Sequence, residues 1–401
     1  MTLLPLVALR TRCAAASLVL LAIAVLLSCG EDSDGATTAP TIAPARASYA
    51  DLLRWMPPSE ERPAVFFFSY AMLRDKSGTP LPDDPLDPDA VQQYLNAIFR
   101  SDEDVRGVPF FNSRIDNWRR YADNTIPYLL LSPAHIDLAM FVDEPTSETY
   151  VAAGRFDPAG ADPLLRACTG CPLSTDVRTR AGLSYYAWGN DAEAQSLRDS
   201  YGPPAFDWLG RPGRIHLTES LLIDTLTDER MEALLDAGTG AAPSLADRED
   251  FVLVSRALED AGAYAAHVIQ ETYGPAYRDF DLQVMHDFGR GPDTLDAWYP
   301  APGTPVLRPY QLVGAGSGSA GEDQPYIVFV LYHSTEDAAA ANVELLRLRI
   351  QQTSSALTGD SWTDRFTNVD ITAQGKLLIA RLDGEYSYGF IYNGDPLLLH
   401  E

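Results

Sequence analysis

The feature that most restricts the fold is a series of short strand-like segments, alternating with capped helices, from Tyr150 to the C-terminus. Segments such as TYVAAGRF, LSYYAW and PYIVFVLYHS are rich in aromatic and β-branched residues, which favours strands. GRIHLTESLLIDTL predicts a hairpin around Glu219 and Ser220, and VDITA with KLLIARL predicts another near Gln374 and Gly375. Hairpins make antiparallel neighbours. The sequence therefore predicts an α+β fold, with antiparallel sheets and helices on one face, as two ferredoxin-like units after a helical N-terminal region.

Capping residues predict where the helices of these units begin. The dipeptide Asp162-Pro163 is typical of an N-cap and first helical position, and Thr227 precedes a helix that Gly238 is expected to close. Ser244 and Ser334 each stand three residues before an aspartate, which is a capping-box pattern. The helix after Ser334 is predicted to bury one stripe of residues: Ala338, Ala341, Leu345 and Leu348.

The first residues have the parts of a secretory signal peptide. Arg10 and Arg12 carry their only charges, and the run from Cys13 to Leu27 is small or apolar. At about 15 residues, this run is shorter than the roughly 20 that span a membrane as a helix. The segment Leu26–Cys29 resembles the lipobox of bacterial lipoproteins. The resemblance implies that Cys29 is lipidated and becomes the N-terminus after cleavage. An ordinary cleaved signal with a chance cysteine and an uncleaved anchor are the alternatives.

Lipidation would place the exported protein on the outer face of the bacterial cytoplasmic membrane, or elsewhere in the envelope, because acyl chains partition into lipid. Residues 30–47 are polar and rich in Ala, Thr and Pro, which predicts a flexible tether. The segments GRFDPAG and YYAWG resemble uncharacterised exported bacterial lipoproteins, a likeness that implies no activity.

Shifts in composition predict the division of the chain. The segments YVAAGRFDPAGADPLL and VLYHSTEDAAAANVELL both resemble a strand followed by a helix, which raises the hypothesis of an internal repeat. The predicted parts are a signal peptide, the lipidated cysteine with its tether, a mostly helical region, an α+β unit, an irregular connection and a second α+β unit, at residues 1–28, 29–47, 48–131, 132–274, 275–304 and 305–401.

The chain is strongly acidic, with a formal net charge of -26. Removal of Arg10 and Arg12 with the signal makes the mature chain more negative still. The phosphates of nucleic acids and anionic lipids repel such a chain. We therefore predict no nucleic-acid partner, and membrane contact only through the lipid on Cys29. The sequence does not identify a protein or small-molecule partner.

Cys168 and Cys171 form a C-x-x-C in the segment RACTGCP. A redox-active pair of this kind opens a helix, whose dipole stabilises the thiolate. Here the pair follows a predicted helix, at the negative end of its dipole. No histidine follows Cys171 for haem attachment, and no second C-x-x-C completes a zinc site. The sequence therefore predicts a local structural disulfide in an oxidising compartment, with redox and metal roles as alternatives.

Residues with catalytic chemistry are scattered, so we predict no catalytic residue, no metal site and no cofactor. GAGSGSAG at residues 314–321 leads into a strand rather than a helix, so it predicts a hairpin loop and not a phosphate-binding loop. His267 lies in an apolar segment and is predicted to be a core histidine. The irregular connection contains the candidate ligand site, made of Asp279, Asp281, His286, Asp287, Trp298 and Tyr299.

Three functions are compatible with these features. The first is a lipid-anchored, exported and non-catalytic binding or envelope-support protein, which rests on Cys29 and on the missing catalytic constellation. The second is a solute-binding lipoprotein of a transporter, which usually has two lobes built on parallel strand–helix repeats. The third is an exported hydrolase that uses carboxylates near His286. We expect the first function.

Overall fold

The computed structural model describes residues 47–58, 64–99, 130–142, 148–167, 175–193, 212–270, 305–321, 324–355 and 360–384, with short pieces at 109–110, 113–114, 122, 125–127, 129 and 396–398. Helices and antiparallel strands make up this part of the chain. The predicted α+β class with antiparallel pairing is therefore confirmed.

The bounds of the elements are as follows. The strands are β1 (Ala64–Phe68), β2 (Pro109–Phe110), β3 (Ser113–Arg114), β4 (Ile136–Val142), β5 (Thr149–Gly154), β6 (Asp176–Arg180), β7 (Leu183–Trp188), β8 (Gly213–Leu217), β9 (Leu221–Thr225), β10 (Ala265–Gln270), β11 (Leu312–Ser319), β12 (Pro325–Tyr332), β13 (Asn368–Gln374) and β14 (Leu377–Asp383). The helices are α1 (Tyr49–Leu53), α2 (Tyr70–Ser77), α3 (Pro88–Ile98), α4 (Pro158–Arg166), α5 (Asp228–Thr239), α6 (Glu249–Asp260), α7 (Glu336–Gln352) and α8 (Trp362–Arg365). No helix in this part of the chain is long and apolar enough to cross a membrane.

Among the described strands, one antiparallel sheet has the order β13-β14-β12-β11-β10-β1-β4-β5-β9-β8-β7-β6. β2 and β3 pair only with each other. β1 and β10 lie side by side in the middle, with Val65 opposite Val268 and Phe67 opposite Ala266. β1 comes from the region predicted to be mostly helical, and it pairs with β4 on its other side. The two expected units are therefore joined into one continuous sheet.

The two sides of this central pair have corresponding topologies. Outward from β1 lie β4 and β5 and then, beyond the hairpin β9–β8, β7 and β6; outward from β10 lie β11, β12, β14 and β13. After β5 the chain enters α4, and after β12 it enters α7. Pro158 is the fourth residue after Gly154, and Glu336 is the fourth after Tyr332. The segments YVAAGRFDPAGADPLL and VLYHSTEDAAAANVELL thus both run from the second strand outward from the central pair into the helix that follows it.

Helices cover both faces of the sheet, whereas the sequence predicts helices on one face. One face packs against α1, α5 and α6, and its core includes Met231 and Phe251. The other face packs against α2, α3 and α4 on one half and against α7 and α8 on the other. Strands such as β5 and β12 are buried along almost their whole length, as expected for a sheet that is covered on both sides.

The start of α4 differs from the prediction. Asp157 is the N-cap, and its Oδ1 accepts a hydrogen bond from the backbone of Gly160 at 2.9 Å. Asp162 and Pro163 lie inside the helix instead of opening it. Asp162 accepts a hydrogen bond from Nε of Arg166 at 2.8 Å. The error has a physical reason: Asp-Pro occurs twice in this segment, and either copy is a suitable helix start.

Two other predicted boundaries are also displaced. Thr335, not Ser334, caps α7, and its hydroxyl accepts from the backbone of Ala338. Gly240, not Gly238, ends α5 in the left-handed conformation, with φ of 78°. Ser334 and Thr335 both have a hydroxyl that can cap a helix, and Gly238 and Gly240 can both adopt the left-handed conformation. The sequence alone therefore does not select between the two residues of each pair. The shift moves the buried stripe of α7 to Ala339, Asn342, Leu346, Arg349 and Ile350.

The glycine-rich segment predicted as a hairpin loop is mostly part of β11, and only its end lies beyond the strand. Its glycines allow a close approach of α6 to the sheet. A Cβ atom at Gly314 would lie 2.5 Å from Cγ1 of Val254, and one at Gly316 would lie 2.6 Å from Cβ of Ala263. The glycines therefore serve packing, as glycine within a strand often does.

Candidate functional site

The residues that the sequence singles out for function lie outside the described residues. They are Cys29, the pair Cys168 and Cys171, and the candidate ligand site Asp279, Asp281, His286, Asp287, Trp298 and Tyr299. The structure leaves these predictions untested.

Two histidines on the sheet are buried in the core. His267 on β10 stacks on Phe66, with ring centroids 4.1 Å apart, and burial lowers its pKa to about 3. His267 is thus a core histidine, as predicted. Nδ1 of His216 on β8 lies 2.7 Å from the carbonyl oxygen of Ser184, and burial lowers the pKa of this ring as well. Both rings are therefore neutral near pH 7.

A cluster of charged side chains lies near the start of β4. Asp137 stands at an irregularity in the β4–β5 register, and its side chain is only 6% exposed. Nη2 of Arg74, on α2, donates to Oδ1 of Asp137 at 3.0 Å, and Nη2 of Arg155, just after β5, donates to the same oxygen at 3.3 Å. We call Arg74, Asp137 and Arg155 the two-arginine cluster. Two guanidinium groups share one carboxylate, so the cluster has an excess positive charge.

The turn before β4 explains how Arg155 reaches the cluster. A short 3-10 helix, Pro133–His135, precedes the strand, and the backbone of Ser132 donates to Nδ1 of His135 at 3.1 Å. The backbone of Arg155 donates to the carbonyl oxygen of His135 at 2.8 Å. A Cβ atom at Gly154 would strike that carbonyl group. Glycine at 154 therefore allows the end of β5 to approach the turn.

Tyr94 of α3 lies beside the cluster. The residue is only 4% exposed, and its hydroxyl interacts with the guanidinium group of Arg74, although neither the hydroxyl nor Nη1 of Arg74 forms a well-aligned hydrogen bond among the described residues. Burial raises the pKa of Tyr94, and the charge of Arg74 opposes this effect. Burial acts to lower the pKa of Arg74, but its bond to Asp137 raises the pKa above the ordinary value. An unpaired buried polar group costs about 1–3 kcal/mol. The cluster thus retains two buried polar groups with incomplete hydrogen bonding next to its excess charge.

The chemistry of this arrangement favours anion binding. Nδ1 of His135 accepts from Ser132, so in the neutral ring Nε2 carries the proton and is a donor. Burial lowers the pKa of His135, which keeps the ring neutral near pH 7. The hydroxyl of Ser132 lies 3.1 Å from Nδ1 of His135, but Ser132 is fully buried at the start of the turn before β4. A nucleophile for covalent catalysis has to reach the substrate, so this serine is placed to hold the turn. Within the described ranges, no group of histidine, cysteine and carboxylate side chains is arranged to hold a metal ion.

A second charged cluster fastens the outer hairpin β6–β7 to α5. Arg214 on β8 is 1% exposed and donates to the carbonyl oxygen of Trp188 at 2.6 Å, to Asp191 at 2.5 Å and to Asp228 at 2.8 Å. Arg178 of β6 pairs with Asp228 as well. Charged groups of both signs are matched here, so this cluster is a structural tie.

Sequence reasoning missed the two-arginine cluster. Arg155 lies in the GRFDPAG segment, but Arg74 and Tyr94 belong to distant helices. Pairing of β1 with β4 brings α2 next to Asp137. One signal was available, which is Asp137 within the apolar strand IDLAMFV. A carboxylate in such a strand requires a buried partner.

Comparisons with known proteins do not assign a family. No protein-family model matches the chain, and no curated protein matches it. The solved structures that are similar to it include crystal form I of TP0453, with 9% identity, a TM-score of 0.34 and coverage of 87% of this chain and 97% of that chain. Crystal form III of TP0453 has 8% identity, a TM-score of 0.36 and coverage of 85% and 96%. These TM-scores are too low to establish a shared fold, and no function follows from them.

Proposed function

We propose that this protein is an exported lipoprotein, held in the bacterial envelope by a lipid on Cys29, and that it binds a ligand or partner without catalysis. The observation that carries the proposal is the segment Leu26–Cys29, directly after a short apolar run. Two or more acyl chains on one cysteine anchor a protein stably, since each buried methylene contributes about 0.8 kcal/mol.

The first described helix supports a tethered arrangement. Ser48 and Asp51 form a capping box at the start of α1. The hydroxyl of Tyr49 donates to the carbonyl oxygen of Ala263 at 2.5 Å, and its ring stacks on Phe67 with centroids 4.6 Å apart. The chain is thus fastened to the sheet directly after the polar segment 30–47. A tether joined there leaves the fold of the domain intact.

Binding without catalysis is supported by how the described polar groups are used. Arg214 and its carboxylates tie strands to a helix, and His216 and His267 are buried and neutral. The two-arginine cluster keeps spare hydrogen-bonding groups, and the hydroxyl of Ser132 beside it is fully buried against the ring of His135. These features support a binding role.

The other two hypotheses have less support. A solute-binding lipoprotein is expected to have two lobes with parallel strands, whereas the described strands form one antiparallel sheet. The hydrolase hypothesis rests on carboxylates near His286, which lies outside the described residues. A substrate screen over esters, glycosides, phosphates and peptides tests it. Turnover that disappears in His286→Ala, with an unchanged melting temperature, would support the hydrolase and contradict our proposal.

Metabolic labelling with a fatty acid in a bacterial host tests the anchor. We expect label on the wild-type chain and none on Cys29→Ala, which should be released or left unprocessed. Cys13→Ala is the matched control, because it removes a thiol from within the signal itself and should keep the label. Equal labelling of Cys29→Ala and wild type contradicts lipidation at this residue.

A further inference from the structure

We propose that the two-arginine cluster binds the carboxylate group of a small solute. This inference rests on the proposed binding function, to which it adds the class of ligand. The site comprises Arg155 on the solvent side, with Arg74 and the hydroxyl of Tyr94 further inside. Asp137 holds both guanidinium groups in place.

Arg155 provides the entrance. Its side chain is 45% exposed, and its bonds to Asp137 and to the carbonyl oxygen of Ala134 both use Nη2. Within the described part of the chain, Nε and Nη1 of Arg155 have no acceptor. These N–H groups therefore remain available to an incoming oxygen, and a guanidinium group suits a carboxylate in geometry as well as charge.

Arg74 and Tyr94 provide the inner end. Nη1 of Arg74 and the hydroxyl of Tyr94 are buried and form no well-aligned hydrogen bond in the described structure. The hydroxyl of Tyr94 interacts with the guanidinium group of Arg74, which is bonded to Asp137 at 3.0 Å. Both groups have N–H or O–H donors that a second carboxylate oxygen can accept from. Native proteins seldom leave the proton of a buried hydroxyl without a well-placed acceptor, and a ligand carboxylate would supply one to Tyr94.

Several other arginines among the described residues pair with carboxylates of their own. Arg166 pairs with Asp162, Arg180 pairs with Asp236 and Glu232, and Arg214 pairs with two aspartates. The chain has 56 acidic residues against 30 basic ones, so carboxylates are plentiful. Only one carboxylate is nevertheless supplied to Arg74 and Arg155 among the described residues. A ligand carboxylate would bring this cluster to neutrality.

Charge also selects the kind of anion. The cluster has one more positive than negative group, which a single carboxylate balances. A phosphate near pH 7 carries more negative charge and would lie close to the buried carboxylate of Asp137. Repulsion by Asp137 therefore favours the carboxylate.

Protection of arginine from phenylglyoxal tests the site in the full chain, purified in detergent. The modification rate of each arginine is measured by mass spectrometry in sodium acetate, sodium phosphate or sodium chloride at equal ionic strength. We expect acetate to slow the modification of Arg155 about fivefold relative to chloride, because the bound carboxylate covers its N–H groups. Arg166 is the internal control, since its side chain is 54% exposed, and its rate should change by less than about twofold.

Two variants separate the outcomes. Tyr94→Phe keeps the buried ring and removes only the hydroxyl, so it should abolish most of the protection at Arg155. Cys29→Ala should keep full protection, which makes failure of the site distinguishable from failure of the anchor. The proposal is overturned if acetate protects Arg155 no better than chloride, if Arg166 is protected equally, or if Tyr94→Phe retains full protection. Stronger protection by phosphate than by acetate overturns the assignment of a carboxylate.

Discussion

Asn342 of α7 donates from Nδ2 to Nε2 of His333 at 2.7 Å, in the buried contact between this helix and the end of β12. Nδ1 of His333 lies 3.2 Å from the carbonyl oxygen of Lys376, so Nδ1 is the protonated nitrogen and Nε2 the acceptor. The same amide accepts from the backbone N–H of Arg308 at 2.6 Å and donates to its carbonyl oxygen at 3.0 Å. One asparagine thus joins β12, the β13–β14 turn and the segment that leads into β11.

Replacing Asn342 should strongly destabilise the protein. Asn342→Ala leaves a buried histidine nitrogen and two backbone groups of Arg308 unpaired, so we expect the free energy of unfolding to fall by about 2–4 kcal/mol. Urea unfolding followed by circular dichroism measures this change. Asn96→Ala on the exposed face of α3 is the control and should cost less than about 1 kcal/mol. Similar losses in the two variants contradict the role given to Asn342.

Arg214 should matter far more than its exposed counterpart Arg180. Arg214→Met leaves Asp191 and Asp228 in a partly buried place without their main partner, and removal of one member of a buried pair costs about 3–5 kcal/mol. Arg180 is 46% exposed, so Arg180→Met should cost less than about 1 kcal/mol. Thermal and urea unfolding of both variants measure these two losses of stability. A mild effect of Arg214→Met means that the network tolerates the loss of its centre.

Glu259 on α6 should make stability depend on pH. Burial raises its pKa from 4.5 to about 7, and Asp260 and Asp51 contribute in the same direction. The folded state therefore binds the proton more tightly than the unfolded state. The contribution of Glu259 to stability is consequently largest below about pH 4.5. It falls as the pH rises to about 7 and then stays constant. Because Glu259 is only half buried, we expect a loss of about 1–2 kcal/mol rather than the full value.

Glu259→Gln should remove this part of the pH dependence, because glutamine stays neutral throughout. Unfolding in urea at several values between pH 5 and pH 8 gives the comparison. Glu249→Gln, at the exposed start of the same helix, is the matched control and should follow the wild type. A variant at 259 whose stability still declines over this interval would point to another titrating group.

Cys168 and Cys171 are predicted to be bonded to each other in the exported protein. Alkylation of the denatured, unreduced chain should leave both sulfurs unmodified, and the mass of the peptide should be that of the disulfide. The double variant Cys168→Ser, Cys171→Ser should lower the melting temperature without removing acetate protection at Arg155. Recovery of two alkylated thiols contradicts the bond.

The fold was predictable where local chemistry decides the structure. The hairpin turn at Gln374 and Gly375 follows the sequence, since Gly375 takes a φ of 58° that suits glycine. Ser244 forms the predicted capping box with Asp247, but the box opens a short 3-10 turn, Leu245–Asp247, and α6 itself begins at Glu249. Pairing between distant strands was not predictable, because the alternation of apolar residues carries no partner information. β1 could therefore not be identified as the strand that joins the two halves.

The candidate site was hidden for the same reason. Arg155, Arg74 and Tyr94 are ordinary surface or helix residues when the sequence is read locally. Their role in the site depends on their contacts with Asp137, which is buried because both faces of the sheet are covered. The sequence shows the apolar strand but not the second layer of helices. The local indication of the site in the sequence is Asp137, a charged residue inside that apolar strand.

The pairing of β1 with β10 also sets the order of events during biogenesis. The pairing of Val65 with Val268 cannot form until Val268 has been synthesised, which happens only after α5 and α6. Contacts of such long sequence separation form late, because a large loop must close first. If the chain is exported N-terminus first, as proposed above, Cys29 and β1 would be outside the membrane while β10 is still inside. β1 can pair with β4 on one edge as soon as β4 emerges, whereas its other edge stays exposed until β10 is synthesised.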